Sequence, residues 1–312
     1  MVSRQGRIGR APWSGASLRT RATAGCWIAI ITISVSATTA CDVNGALGRL
    51  SEARRLAADL LVQFTKAADA ANRAVMADTD EASVAFAREA EEAKQAVQRD
   101  TDALGPMLQG LGFPDETRLL QQFVNRFAEY RGLDRRILDL AVENTNLKAQ
   151  RLSFGPAQEA ADSFRDSLEA IAHSVPTKDK WHVDALVETA VATVREIQIL
   201  QAPHIADADE AMMTRMEKRM ATSEAATRSA LETLATLVPP TSRPRLAAAA
   251  AVLDQFMGLN AQIIALSRRN TNVRSLALSL DQKRTITAAC EDSLRALQDA
   301  LAKRGFTGTR KK

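Results

Sequence analysis

Asn144, Thr145 and Asn146 recur as Asn270, Thr271 and Asn272, and cations stand beside both triplets. Lys148 follows the first; Arg268, Arg269 and Arg274 surround the second. A carboxamide both donates and accepts hydrogen bonds, and a guanidinium grips a carboxylate through a rigid fork. Asn144, Asn146, Arg269, Asn270, Asn272 and Arg274 are therefore the best candidate ligand-binding set in the chain, suited to a small anion. Three readings of the amides compete. Leu266, Asn270 and Val273 step by four and three along an apolar seam, where a buried Asn fixes register at some loss of stability. The amides could instead cap backbone at a helix bend, or touch a ligand. Register leads, and it carries the expectation that Asn270→Leu and Asn144→Leu stabilise the fold. The arginines, by the plainer reading, are a solvated basic face.

Other chemistry is thin. The three histidines are His173, His182 and His204. Glu169 lies one helical turn before His173, and Asp179 stands near His182, so zinc at that junction is the nearest approach to a metal site. No di-iron Glu-x-x-His pairing, haem-attachment motif, P-loop, dinucleotide fingerprint or nucleophile elbow is present. The expectation is a non-enzyme without metal or cofactor. Cys290 aligns with Phe164 in the repeat described next, which makes it a buried apolar residue rather than a reactive thiol. Met212, Met213, Met216 and Met220, at helical spacing, read as core filler.

The elements that must hold these residues come in two copies. Around the Asn triplets, Tyr130, Gly132, Leu133 and Ile137 answer to Phe256, Gly258, Leu259 and Ile263. Upstream, Ala77-Asp-Thr-Asp-Glu-Ala82 answers to Ala206-Asp-Ala-Asp-Glu-Ala211. The chain is a duplication. In the first copy, Leu50, Ala53, Ala57, Leu60 and Phe64 form a heptad seam on a helix over 50–76. Asp78 and Glu81 read as a capping box opening a second helix, which Gly105-Pro106 and then Gly110 to Pro114 break. A third helix starts near Asp115 and bends or frays around the Asn triplet. Gly155-Pro156 opens a fourth. The second copy repeats the plan after a linker at 174–180, with Val238-Pro-Pro240 ending its second helix and a fourth helix starting near Ser279 to Asp281.

Low aromatic content (4%) and sparse Gly and Pro agree with an all-helical, Ala-seamed protein. The fold class predicted is all-α: two tandem antiparallel four-helix bundles, at residues 49–174 and 178–304, with a basic tail at 305–312. Five of the 41 basic residues, all Arg, precede residue 41, and none of the 37 acidic ones do. The body is therefore nearly neutral and offers no electrostatic case for nucleic acid. Those arginines, the uncharged stretch over 22–40 and Thr38-Thr39-Ala40-Cys41 read as an export signal. Residues 1–41 are a signal peptide or an uncleaved membrane anchor, and either places the body outside the cytoplasm.

Two resemblances follow from these residues. Cys41 after Ala40 resembles a bacterial lipobox, with Thr38 where Leu is usual. It implies lipidation at Cys41, and Asp42 resembles the signal for retention at the inner membrane. Each copy, with its Asp-x-Asp-Glu turn, Asn-Thr-Asn and following Leu-Ser, resembles the extracytoplasmic four-helix sensor domain of methyl-accepting chemotaxis proteins. That resemblance implies a ligand- or partner-sensing role. The second membrane helix, HAMP linker and cytoplasmic coiled coil of that family are not found. The expected function is an exported, membrane-anchored sensory or ligand- and partner-binding protein on the periplasmic side of the inner membrane. Its partners would be the membrane, a small molecule or an envelope signalling protein, with a homodimer compatible. The runner-up is a structural or interaction lipoprotein of the envelope. A metal- or cofactor-carrying bundle is third.

Overall fold

A computed structural model describes residues 36–175 and 178–304, with side chains from Gly45 onward. The stretch before Ser36, the Cys41 side chain and the 305–312 tail, on which the export and tail expectations fall, lie outside the described residues. Residues Leu47–Lys312 form one compact unit, which holds everything below except the first residues of α1.

The fold is all-α, with no strand among the described residues. Among the described residues ten α-helices follow one another: α1 (Ser36–Met76), α2 (Asp80–Gly110), α3 (Pro114–Glu143), α4 (Thr145–Leu152), α5 (Gln158–Ser174), α6 (Lys180–Ala206), α7 (Glu210–Leu237), α8 (Arg243–Arg269), α9 (Thr271–Leu278) and α10 (Arg284–Lys303). Two π-helical turns, Ser153–Ala157 and Ser279–Lys283, join α4 to α5 and α9 to α10. They occupy aligned places in the two copies, so α3–α5 and α8–α10 are two long rods, each interrupted at an Asn and loosened at a π turn.

Local chemistry explains most boundaries and corrects three expectations. Thr79, not Asp78, caps α2: its Oγ1 accepts from the Ala82 amide at 3.1 Å. In the second copy Asp209 does this for Ala211 and Met212 at 2.8 and 3.2 Å. Gly105-Pro106 does not break α2. Leu104 and Leu108 on either side are fully buried, and that packing outweighs the one backbone bond a Pro forfeits. The stop comes at Gly112, whose φ of 70° suits glycine, with Pro114 then opening α3. Nor does Gly155-Pro156 begin a helix. The helix already runs from Thr145, and the wider π turn takes up the Pro.

The largest correction concerns the domains. The copies do not close separate bundles at 49–174 and 178–304; they exchange their fourth helices. Leu60 and Phe64 of α1, Val97 and Leu104 of α2, and Phe123 and Tyr130 of α3 share a core with Cys290, Leu294 and Leu297 of α10. Phe164 and Leu168 of α5 share the other core with α6, α7 and α8. The first bundle is therefore α1, α2, α3 and α10, and the second is α5, α6, α7 and α8. The rods run antiparallel throughout. Glu116 meets Arg304 at 2.7 Å, Thr145 meets Thr271 at 3.1 Å, and Ser174 meets Ser242 at 3.0 Å. Exchange follows from continuity: a rod that does not turn back after α3 cannot pack its second half against its first.

Within the first bundle Phe64 packs edge-on to Phe123, Phe127 and Tyr130, with centroids 6.0, 6.1 and 5.0 Å apart. In the second, Met213, Met216 and Met220 are buried, as the stripe predicted, and Met212 turns outward. The helix over Pro240–Lys303 includes a window with mean hydropathy 1.3, apolar and long enough to cross a membrane. Here Leu246, Ala249, Leu253, Phe256 and Ile263 of its first half face the bundle core.

Candidate functional site

The Asn-Thr-Asn triplets meet where the two rods cross. Asn144 and Asn270 sit in the left-handed region, at φ 50° and 54°. Asn tolerates that conformation better than other non-glycine residues because its short amide bonds nearby groups. One such residue tilts the rod without reversing it, and helical bonding resumes at once: Lys148 N donates to Asn144 O (3.0 Å) and Arg274 N to Asn270 O (3.1 Å). The junction is nearly two-fold. Thr145 N donates to Thr271 Oγ1 (3.0 Å) and Thr271 N to Thr145 Oγ1 (3.2 Å). Asn146 N donates to Asn272 Oδ1 (3.2 Å), and Asn272 N to Asn146 Oδ1 (3.1 Å). Asn146 Nδ2 reaches Asn270 Oδ1, and Asn272 Nδ2 reaches Asn144 Oδ1, both at 2.8 Å.

The register reading is thereby corrected. Asn144 and Asn270 end a helix in the αL conformation, the bend of the second alternative, rather than fill a seam within one; neither side chain caps the helix that follows it. Of the six candidate ligand residues, the four amides come together, but they bond one another and the backbone. Asn270 Nδ2 also holds Asp207 O (2.7 Å) and Asn146 Nδ2 also holds Ile205 O (2.6 Å). Arg269 pairs with Glu143 across the junction. Arg274 is exposed and apart from the amides' bonds. Of the amide atoms, Asn144 Nδ2 is buried without a partner.

A second polar cluster, which sequence reasoning missed, lies in the second bundle. His204 is fully buried, with Nδ1 2.8 Å from Ser267 Oγ and Nε2 2.9 Å from Glu217 Oε1. Arg268 clasps Glu217 through Nε (2.7 Å) and Nη2 (2.9 Å). These Arg268 bonds, with a smaller pull from His204, hold the Glu217 carboxyl below its usual range despite partial burial. No sequence signal pairs these residues, because they come from three helices: His204 from α6, Glu217 from α7, and Ser267 and Arg268 from α8. His173 and His182 join no such cluster. Among the described residues no group of three His, Cys, Asp or Glu is placed to hold a metal ion.

The third cluster distinguishes the copies. In the first bundle Asp134 is fully buried between two buried lysines: Lys94 Nζ lies 2.8 Å from Oδ2, and Lys283 Nζ 2.8 Å from Oδ1. The second contact is poorly aligned, so Lys283 Nζ and Asp134 Oδ1 have an ion-pair distance but no well-directed hydrogen bond. Burial holds the Lys283 ammonium below the usual lysine range, opposed by Asp134 and reinforced by Lys94. Burial, then Asp134, pushes the Tyr130 phenol well up, and its hydroxyl has no partner. Aligned positions in the second bundle are neutral. Asn260 replaces Asp134, Ser223 replaces Lys94 and Ala157 replaces Lys283. There Ser153 Oγ donates to Gln201 Oε1 (2.7 Å), and Gln201 Nε2 to Asn260 Oδ1 (2.9 Å).

A cleft of about 470 Å³ opens beside the charged cluster, between the end of α1 and the start of α10. Its walls include Met76, Leu276, Ser279, Leu280, Lys283 and Arg284, with Asn72, Thr287 and Glu291 at the sides. A wider depression of about 660 Å³ between α5 and α8 is lined by Asp162 and Asp166, whose carboxylates already pair with Arg165. No family model matches the chain, and no curated protein matches its sequence.

Proposed function

We propose that this protein is an exported sensory or ligand- and partner-binding module, held at the periplasmic side of the inner membrane by its N-terminal segment. The observation that carries the reading is the sharing of two rods between two bundles. A cleft in the first bundle is walled by α10, whose rod begins as α8 in the core of the second. Displacement at the cleft is thus applied to an element that both bundles hold. The likeness of each copy to a chemoreceptor sensor domain supports the same role, and the Cys41 lipobox resemblance supports the anchor.

Thermal melting of the full chain against amino acids, organic acids and aromatic acids tests it, because a ligand that binds only the folded state raises the Tm by mass action. A partner protein would be found by cross-linking in the membrane. Absence of both would leave the structural envelope lipoprotein, a reading favoured by the mutual hydrogen bonds of the central junction's amides. The anchor is tested separately: Cys41→Ala releases or mislocalises a lipoprotein, whereas firm retention of an unacylated chain identifies an uncleaved helix.

A further inference from the structure

The cleft beside Lys283 is the feature of the first bundle that the second does not repeat. Three of the exposed large apolar side chains converge on it: Met76, Leu276 and Leu280, at 71%, 37% and 63% exposure. Their aligned counterparts are Ile205, Gln150 and Phe154; of these Ile205 is buried, and only Phe154 remains an exposed apolar group. Exposed apolar groups gathered in a concavity mark a binding surface far better than the same groups scattered.

The polar side of the cleft is cationic. Arg284 is exposed there and forms no ion pair with any described residue; its aligned counterpart is Gln158. Ser279 Oγ is buried without a partner, while the aligned Ser153 hydroxyl is occupied by Gln201. Beneath lie two lysines sharing one buried aspartate, with Lys94 also 2.9 Å from the exposed Glu91. Glu291, the acidic residue of the wall, is paired with Arg295 at 2.8 Å.

We infer that this cleft binds a small monocarboxylic acid with one apolar arm: the carboxylate against Arg284 and Ser279, the arm on Met76, Leu276 and Leu280. The Arg284 guanidinium, which forms no ion pair with any described residue, favours an anion over a neutral molecule, and the volume lies in the roughly 300–1,000 Å³ range of small-molecule sites. A rigid fork on an exposed stem, over apolar side chains, suits one carboxylate and one short chain or ring. The inference rests on the ligand-binding reading above and names the ligand class and the bundle.

Thermal melting of the full chain in non-ionic detergent tests it, with benzoate and hexanoate as probes and benzyl alcohol and hexanol as neutral matches. Both acids should raise the Tm in a saturable way, and the alcohols should not. Arg284→Ala and Leu280→Ser should each weaken apparent affinity about tenfold or more. The aligned changes Gln158→Ala and Phe154→Ser should leave it unaltered. Equal shifts from the alcohols, or an acid shift that Arg284→Ala leaves intact, would overturn the site. A Tm that rises with protein concentration and loses that dependence in Leu280→Ser would make the occupant a second copy, which also overturns it. No acid shift at all sinks this inference alone if amino acids or a cross-linked partner still bind; only failure of those as well removes the function proposed above.

Discussion

Replacing Asn270 by Leu separates a helix seam from a helix break. In a seam, Leu removes a buried polar group and adds apolar contact, and stability rises. At the junction described, two penalties arise instead. Leu must adopt φ near 54°, where a side chain with a Cβ and no local hydrogen bond is worse off by about 1–2 kcal/mol. The Asp207 carbonyl loses its donor and Asn146 Nδ2 loses one of two acceptors, and an unsatisfied buried group is unfavourable by about 1–3 kcal/mol. Together they predict a loss of about 2–5 kcal/mol. Asn270→Gly keeps the αL conformation and loses only the hydrogen bonds, so it should stand about 1–2 kcal/mol above the Leu variant. Asn144→Leu pays the same conformational penalty, but only its Oδ1 is bonded, so its loss should be smaller than that of Asn270→Leu. Urea unfolding of the full chain, followed by circular dichroism and compared at unchanged slope, measures all three. If Asn270→Leu matches or exceeds the parent chain, the account of the junction is wrong.

Three further outcomes follow from the buried charges. Asp134→Ala strands Lys283 and leaves the buried Lys94 only the exposed Glu91, and should destabilise the first bundle by about 3–5 kcal/mol, whereas Asp134→Asn with Lys94→Ser and Lys283→Ala, the residues of the second bundle, should come close to the parent in the same urea assay. Glu217, whose folded pKa lies below its ordinary 4.5, contributes stability that is complete above that value and lost as pH falls through the lowered one. The acid side of a Tm-against-pH curve should therefore flatten in Glu217→Gln, and an unchanged curve would remove Glu217 from the account. Burial pushes the Cys290 thiol up to about 12. Peptide mapping should find it unalkylated by iodoacetamide near neutral pH in the folded chain and labelled in urea; ready labelling of the folded chain would contradict its burial.

Much of this was legible in the residues. The duplication, the all-α class and the inward faces of Phe123, Phe127, Ile137, Phe256 and Ile263 follow from spacing alone. The break at Asn144 and Asn270 was visible as a polar interruption, though its αL geometry was not: a heptad position looks the same whether or not the helix continues through it. Helix exchange was hidden for a related reason. Periodicity says which face of α5 is buried but not whose helices cover it, and two similar copies offer similar partners. Gly155-Pro156 then misled, because a π turn absorbs a Pro that a hairpin would also have used. The Lys94–Asp134–Lys283 and His204–Glu217–Arg268 clusters gather residues far apart in sequence, with no spacing to betray them.

The exchange of fourth helices has a two-chain equivalent. A chain holding one copy would have three helices of a bundle and an arm that leaves it, and it could bury that arm only on a second molecule doing the same. Such a pair is a two-fold homodimer, in which every residue on the axis faces its own twin. Glu143 and Arg269 are such twins by alignment, and they face each other across the junction. Two identical chains would set Glu against Glu or Arg against Arg there; opposite charges require the halves to be encoded separately. Joining them in one polypeptide removes the concentration dependence of assembly and frees each half to diverge. A charged Lys94–Asp134–Lys283 cluster can then be kept on one side, and its neutral Ser223, Asn260 and Ala157 counterpart on the other.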